Sequence, residues 1–152
     1  MRFVIQVVDN ASVNIDSMDI SRNIKAGFLL FVGIGKNDDK VIADKMVKKL
    51  LNLRVFKDEN GKINYSLLDV SGELLVISQF TLYADCCHGN RPNFLDAAAP
   101  EDAENLYNYL VEEFSQSIAV VKTGEFGAAM KVSLTNNGPY TIVLDSDIIF
   151  KK

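Results

Sequence analysis

Two short segments hold the residues whose types and spacing suit chemistry. The first is Ser78-Gln79-Phe80-Thr81-Leu82, in which hydroxyls, an amide and an aromatic ring follow an apolar run and precede a polar stretch from Asp85 to Asn93. A strand that ends this way can offer backbone N–H groups to a carbonyl oxygen gaining negative charge, the arrangement of an oxyanion hole. The plainer alternative is that Ser78 and Thr81 satisfy the local backbone and Phe80 fills the core. The second segment is Asn136-Asn137-Gly138-Pro139-Tyr140. Glycine and proline are ordinary turn residues, and from chemistry alone this segment is a turn between two strands.

Other chemistries find little support. The single histidine, His88, follows Cys86 and Cys87. Neighbouring side chains on an extended chain point apart, so Cys87 and His88 make a poor nucleophile–base pair. The ligand spacings of zinc sites are missing, and adjacent cysteines fit disulfide geometry badly, so two free thiols are expected. Gly33-Ile34-Gly35 lacks the third glycine of a dinucleotide fingerprint and reads as a strand-end turn. The expectation is a protein without metal or cofactor. A formal net charge of −4 argues against coating nucleic acid with a basic surface, though it leaves room for touching only the end of an RNA. No apolar run reaches the roughly 18 residues that span a bilayer, and Met1 to Val8 reads as a strand rather than an export signal. No membrane contact and a cytoplasmic location are therefore expected.

These segments need elements to position them. The 152 residues suit one domain, 1–152, and 48% hydrophobic against 24% charged is an ordinary globular balance. Phe3 to Val8 and Ala11 to Ile15 alternate as strands, and Ala26 to Ile34 is an apolar run that suits a central strand. Asn37-Asp38-Asp39 offers an N-cap to a helix whose apolar side carries Ile42, Met46, Val47, Leu50 and Leu51. Leu53 to Phe56 reads as a short strand before the turn Asp58-Glu59-Asn60-Gly61. Glu73 to Phe80 is another strand. Pro100-Glu101-Asp102 opens a second helix with an apolar stripe of Ala103, Leu106, Tyr107, Leu110, Val111 and Phe114. Met130 to Thr135 and Tyr140 to Leu144 close the chain as two strands. Many strands and two helices without regular alternation predict an α+β fold with mostly antiparallel sheet.

The order and spacing of several motifs resemble the D-aminoacyl-tRNA deacylase family over nearly the whole chain. They are Met1-Arg2, Ala11-Ser12-Val13, Leu51-Asn52-Leu53-Arg54-Val55-Phe56, Gly72-Glu73-Leu74-Leu75-Val76, Ser78-Gln79-Phe80-Thr81-Leu82, Thr123-Gly124-x-Phe126-Gly127-Ala128-x-Met130 and Asn136-x-Gly138-Pro139. The resemblance implies a barrel-like α+β fold with two to three helices, assembled as a homodimer. It implies a carboxylic ester hydrolase that removes D-amino acids from tRNA without metal, and glycine removal from mischarged tRNA(Ala) as a side activity. Ser78, Gln79, Phe80 and Thr81 would form the catalytic wall, with water as nucleophile and the terminal ribose hydroxyl assisting. Phe126 and Met130 would hold the 3′-terminal adenosine, and Ala103 would line the pocket. Asn136, Gly138 and Pro139 would bind substrate from the partner subunit, with a cis Gly138–Pro139 peptide whose carbonyls leave no room for an L-residue's side chain.

This chain also departs from the resemblance. Relatives carry Gln-Arg near the N-terminus, where the arginine braces the Gly-Pro loop; here the pair is Gln6-Val7, so another donor or local packing is expected to do so. The loop Asp85 to Pro92 is less basic than usual, which predicts a shallow salt dependence of activity. The rival function is a non-catalytic module that binds the aminoacylated tRNA 3′ end; a purely structural homodimer is a third.

Overall fold

The computed structural model describes residues 1–151 and has eight strands and three helices among them. The strands are β1 (Arg2–Ile15), β2 (Ile20–Ile24), β3 (Gly27–Gly33), β4 (Phe56–Lys57), β5 (Ile63–Tyr65), β6 (Glu73–Ser78), β7 (Val121–Thr123) and β8 (Lys131–Asp145). The helices are α1 (Lys40–Leu51), α2 (Pro100–Ser115) and the single turn α3 (Ser146–Ile149), with 3-10 turns at Asp16–Met18 and Phe80–Tyr83. None is long and apolar enough to cross a membrane.

The expected α+β fold is present. One six-stranded sheet runs β2-β1-β3-β6-β7, with β8 on β1. The pairs made by β1 are antiparallel, whereas β3–β6 and β6–β7 are parallel. The parallel strands sit where the chain reads as continuous apolar runs, Phe28 to Leu30 and Leu74 to Ile77, all buried. β1 is one strand rather than two. Its first half pairs with β3 and its second half with β2, and β8 follows it throughout. Local alternation cannot show that two short runs are collinear, because the join at Asp9-Asn10 is polar and irregular in register.

The buried residues form two cores. On one face, Phe3, Ile5, Phe28, Leu30, Leu74 and Val76 pack against α1 and α2. On the other, Val13, Ile15 and Ile24 fold over Leu29, Leu75 and Ile77, giving the sheet a nearly closed, barrel-like form. α1 begins where the cap predicts, with the Asp39 carboxylate accepting from the Ile42 N–H at 2.8 Å. It buries Ala43, Met46, Val47 and Leu50, and full burial stabilises by about 1.5–3 kcal/mol for each of the larger three. Pro100 opens α2, whose buried face is Ala103, Leu106, Tyr107, Leu110 and Phe114.

Three boundaries differ from the expectation. The strand expected at Leu53 to Phe56 lies at Phe56–Lys57, although the Val55 N–H already donates to the Tyr65 carbonyl. The strand expected to reach Phe80 ends at Ser78, where the chain tightens into the 3-10 turn. The largest difference is at the C-terminal end. Asn136 to Tyr140 is no reversing turn, because β8 keeps its direction and pairs with β1 on both sides of the segment. Gln6 pairs with Thr141 and Val8 with Asn136, so Val7 alone faces the chain from Asn137 to Tyr140, which is thrown out as a bulge. Turn residues announce a break in pairing but not whether the chain reverses there.

Candidate active site

The end of β6 opens into a cavity of about 290 Å³. Ser78, Gln79 and Phe80 form one wall, and Phe126, Gly127, Ala128 and Met130 form another. Val32, Ile34 and Ile77 come from the sheet, Ala98 and Ala103 from the approach to α2 and its first turn, and Val132 from β8. Among the described residues, no acid, base, cysteine or tyrosine lines it. Six expected site residues thus meet at one cavity: Ser78, Gln79, Phe80, Ala103, Phe126 and Met130. Four do not. Thr81 lies just outside, and Asn136, Gly138 and Pro139 sit on the bulge of β8.

The first wall is fixed by the sheet and by the 3-10 turn. The Gln79 N–H donates to the Val32 carbonyl at 2.7 Å and is already committed. The Phe80 and Thr81 N–H groups, at the start of the turn, have no partner among the described residues. The Gln79 N–H is thus taken, while those of Phe80 and Thr81 are left without a protein acceptor among the described residues. Phe80 is not core: its ring is 58% exposed and stands edge-on to Phe94 at 4.9 Å between centroids. The Gln79 side-chain amide donates to the Thr81 hydroxyl, so that hydroxyl has an amide neighbour and no base. Arg2 secures the far end, donating to the Leu82 carbonyl at 2.8 Å while pairing with Asp145 at 2.9 Å. Its guanidinium also lies 4.5 Å from the centroid of the Tyr83 ring. Burial beside the Asp38 carboxylate pushes the Tyr83 phenol up, out of any acid–base role near neutral pH.

The second wall is the loop after β7. Phe126 rests on Tyr107, with ring centroids 6.0 Å apart. Tyr107 is buried and donates to the Val76 carbonyl at 2.9 Å, and burial pushes its phenol up. Met130 folds back so that its sulfur accepts from the Glu125 N–H at 3.4 Å. A side chain at Gly124 would run into that sulfur.

The bulge is exposed at Asn137, Gly138 and Pro139. The Gly138–Pro139 peptide is cis, and Gly138 has φ +122°, where only glycine is comfortable. Asn136 holds the base: its amide donates to the Val7 carbonyl at 2.9 Å and to the Tyr140 carbonyl at 3.0 Å. The Asn137 amide donates to the Asp9 carboxylate at 2.7 Å. Val7 itself is buried in the core. Side-chain amides thus bracket the bulge, and Asn136 holds its backbone on both sides.

The remaining candidates lie elsewhere. Cys86 and Cys87 are free and exposed, and Asp85 accepts from the Cys87 N–H at 2.9 Å. That carboxylate pushes the Cys87 thiol up, away from reactive thiolate. Lys131 pairs with Asp16 instead of standing free for phosphate. Apart from Phe126, Met130 and Ala103, the far sides of the cavity were not visible in the residue pattern, since Val32, Ile34, Ile77 and Val132 read only as strand core.

The chain is thus a barrel-like α+β domain with a cavity free of titratable side chains at the end of a parallel strand. Comparison with known proteins narrows it: the family model for D-Tyr-tRNA(Tyr) deacylase matches residues 4–145, and the chain belongs to that family. It is 50% identical to a D-aminoacyl-tRNA deacylase of Thermosipho melanesiensis over 99% of this chain and 100% of that one. A Clostridium novyi protein of the same name is 51% identical, covering 96% of this chain and 97% of its own. Among solved structures, the c-Myc DNA Unwinding Element Binding Protein superposes with a TM-score of 0.89 at 39% identity, covering 95% of this chain and 98% of that one.

Proposed function

We propose that this chain, acting as one domain over 1–152, hydrolyses the ester of D-aminoacyl-tRNA to free D-amino acid and tRNA. The observation that carries this is the cavity. Within a family of deacylases, it is a chamber without a titratable side chain, with the unpartnered N–H groups of Phe80 on its wall and of Thr81 just outside it. Two donors aimed at a developing oxyanion can account for much of the rate, since losing one typically costs about 10²–10³-fold. Water attacks the ester carbonyl, and the terminal ribose hydroxyl of the tRNA assists. Phe126 and Met130 receive the 3′-terminal adenosine, by ring stacking and soft sulfur contact, and Ala103 bounds the pocket.

Handedness comes from a second copy of the chain. The bulge lies apart from its own cavity, and β8 has its outer edge unpaired among the described residues. In a homodimer, Gly138 and Pro139 of one subunit enter the other's site, and their carbonyls exclude an L-side chain by clash. Glycine has no side chain to clash, so glycyl-tRNA is cleaved as well.

The test is a paired assay of purified protein on D-tyrosyl-tRNA and L-tyrosyl-tRNA with a chelator present. Rapid release from the D-ester alone is expected. Equal rates would defeat the chiral claim, and activity abolished by chelation would point to a metal. The second reading is a non-catalytic module that holds the aminoacylated 3′ end; saturable binding without release of either amino acid would establish it.

A further inference from the structure

Arg22 lies on β2, far in sequence from both segments that carry the proposed chemistry. β2 and β7 are the two ends of the sheet path, and the curl of the sheet brings them side by side. Arg22 reaches across that seam. One guanidinium nitrogen donates to the Thr123 carbonyl at 2.8 Å, to the Thr123 hydroxyl at 3.2 Å and to the Gly124 carbonyl at 3.0 Å. The other pairs with the Glu125 carboxylate at 3.2 Å. These three residues are the root of the loop that continues into Phe126, Gly127, Ala128 and Met130, all at the cavity. The root is otherwise held by the pairing of Thr123 with Val76 and by three hydrogen bonds: Gly124 N–H to the Val76 carbonyl, Ala128 N–H to the Glu125 carbonyl, and Glu125 N–H to the Met130 sulfur.

We propose that Arg22 is a positioning residue that sets the Phe126–Met130 wall and hence the affinity for the 3′-terminal adenosine, a role resting on the deacylase reading above. A planar fork with several donors holds adjacent carbonyls and a carboxylate in one geometry, which an ammonium on a flexible stem does less well. The wall moves with the root, so loosening it weakens binding of the tRNA end while Phe80 and Thr81, on the other wall, keep their donors in place.

The experiment compares Arg22→Met and Arg22→Lys with the parent protein in two measurements. In the first, hydrogen exchange is followed at the Gly124 amide, which ties the root to the Val76 carbonyl of β6, and at the Ala128 amide, which donates to the Glu125 carbonyl. Exchange about tenfold faster in Arg22→Met, with β3 and β6 unchanged, is expected, and a tenfold change is worth about 1.4 kcal/mol. In the second, KM for D-tyrosyl-tRNA rises about tenfold in Arg22→Met with kcat within about twofold, the pattern of lost ground-state binding. Arg22→Lys recovers part of both. Unchanged exchange at Gly124 and Ala128, or a KM that stays put while the whole sheet exchanges faster, would overturn the proposal and leave Arg22 a staple of the barrel only. If the parent protein releases no amino acid from either ester, the deacylase reading fails, and the exchange measurement still decides the clamp. Should Arg22→Met not fold, Arg22→Lys carries the same comparison, and parental exchange and KM in it would overturn the proposal.

Discussion

The wall at Ser78 to Thr81 and the bulge at Asn136 to Tyr140 both present backbone, but they are held in opposite ways. The wall continues a buried parallel strand, flanked by β3 and β7, and inherits its position from main-chain hydrogen bonds. The bulge leaves an edge strand, and its base is closed by side-chain amides of Asn136 and Asn137. A substitution therefore acts on the wall only through its supports, whereas single residues of the bulge are directly open to change. On the proposed function, the wall carries rate and the bulge carries handedness, so the two regions can be damaged separately.

The largest expected effect is at Gly138. An added Cβ would sit 2.8 Å from the Tyr140 nitrogen at φ +122°. Forcing a side chain there costs about 1–3 kcal/mol of backbone strain, enough to lower the ratio of D- to L-tyrosyl-tRNA cleavage roughly 10–100-fold in Gly138→Ala. A ratio unchanged by this substitution would break the division of labour. Next comes Tyr107→Phe, which removes one of the two donors to the Val76 carbonyl and leaves the Gly124 N–H as the other. Urea denaturation should show a loss of about 0.5–1.5 kcal/mol, with the D-to-L ratio kept; a fall in the ratio would mean that the two regions are coupled.

Asn136→Ala removes two donations, each worth about 0.5–1.5 kcal/mol net. Because the segment is half-exposed and water can replace part of this, a fall in the D-to-L ratio of up to about tenfold is expected. If the D-ester rate falls instead while the ratio holds, Asn136 serves the wall rather than the bulge. The smallest effect should be Thr81→Val. Its side chain lies outside the cavity and lacks a base, while its N–H survives the substitution. A rate within about threefold of the parent is expected, against the roughly 10²–10⁴-fold loss that removing an activated hydroxyl and its base catalysis would bring. Single-turnover release from D-tyrosyl-tRNA distinguishes them.

Local chemistry made much of the fold legible. Asp39 marks the start of α1, Pro100 that of α2, and Asp58 to Gly61 a hairpin turn, because caps and turns are decided by a few neighbouring residues. β2 and β7 were missed. Each is short, and Ser21-Arg22-Asn23 gives a polar centre to β2 that carries little alternation. The site was legible in part: the motif residues Ser78, Gln79, Phe80, Phe126 and Met130 do share a cavity with Ala103, whereas Asn136, Gly138 and Pro139 lie apart from it in the single chain.

By itself, then, the sequence determined most of the elements, the family and the absence of a side-chain base from its two signature segments, since these follow from residue type and short-range spacing. Tertiary structure alone decided which N–H groups stay open, that the Gly-Pro segment is a bulge on an unbroken strand, and that Arg22 bridges the seam to the Phe126 wall. Those depend on partners distant in sequence, as far apart as Val7 and Asn136 at 129 residues, and a donor taken by one distant carbonyl is unavailable to another, which only the pairing of the whole sheet can settle.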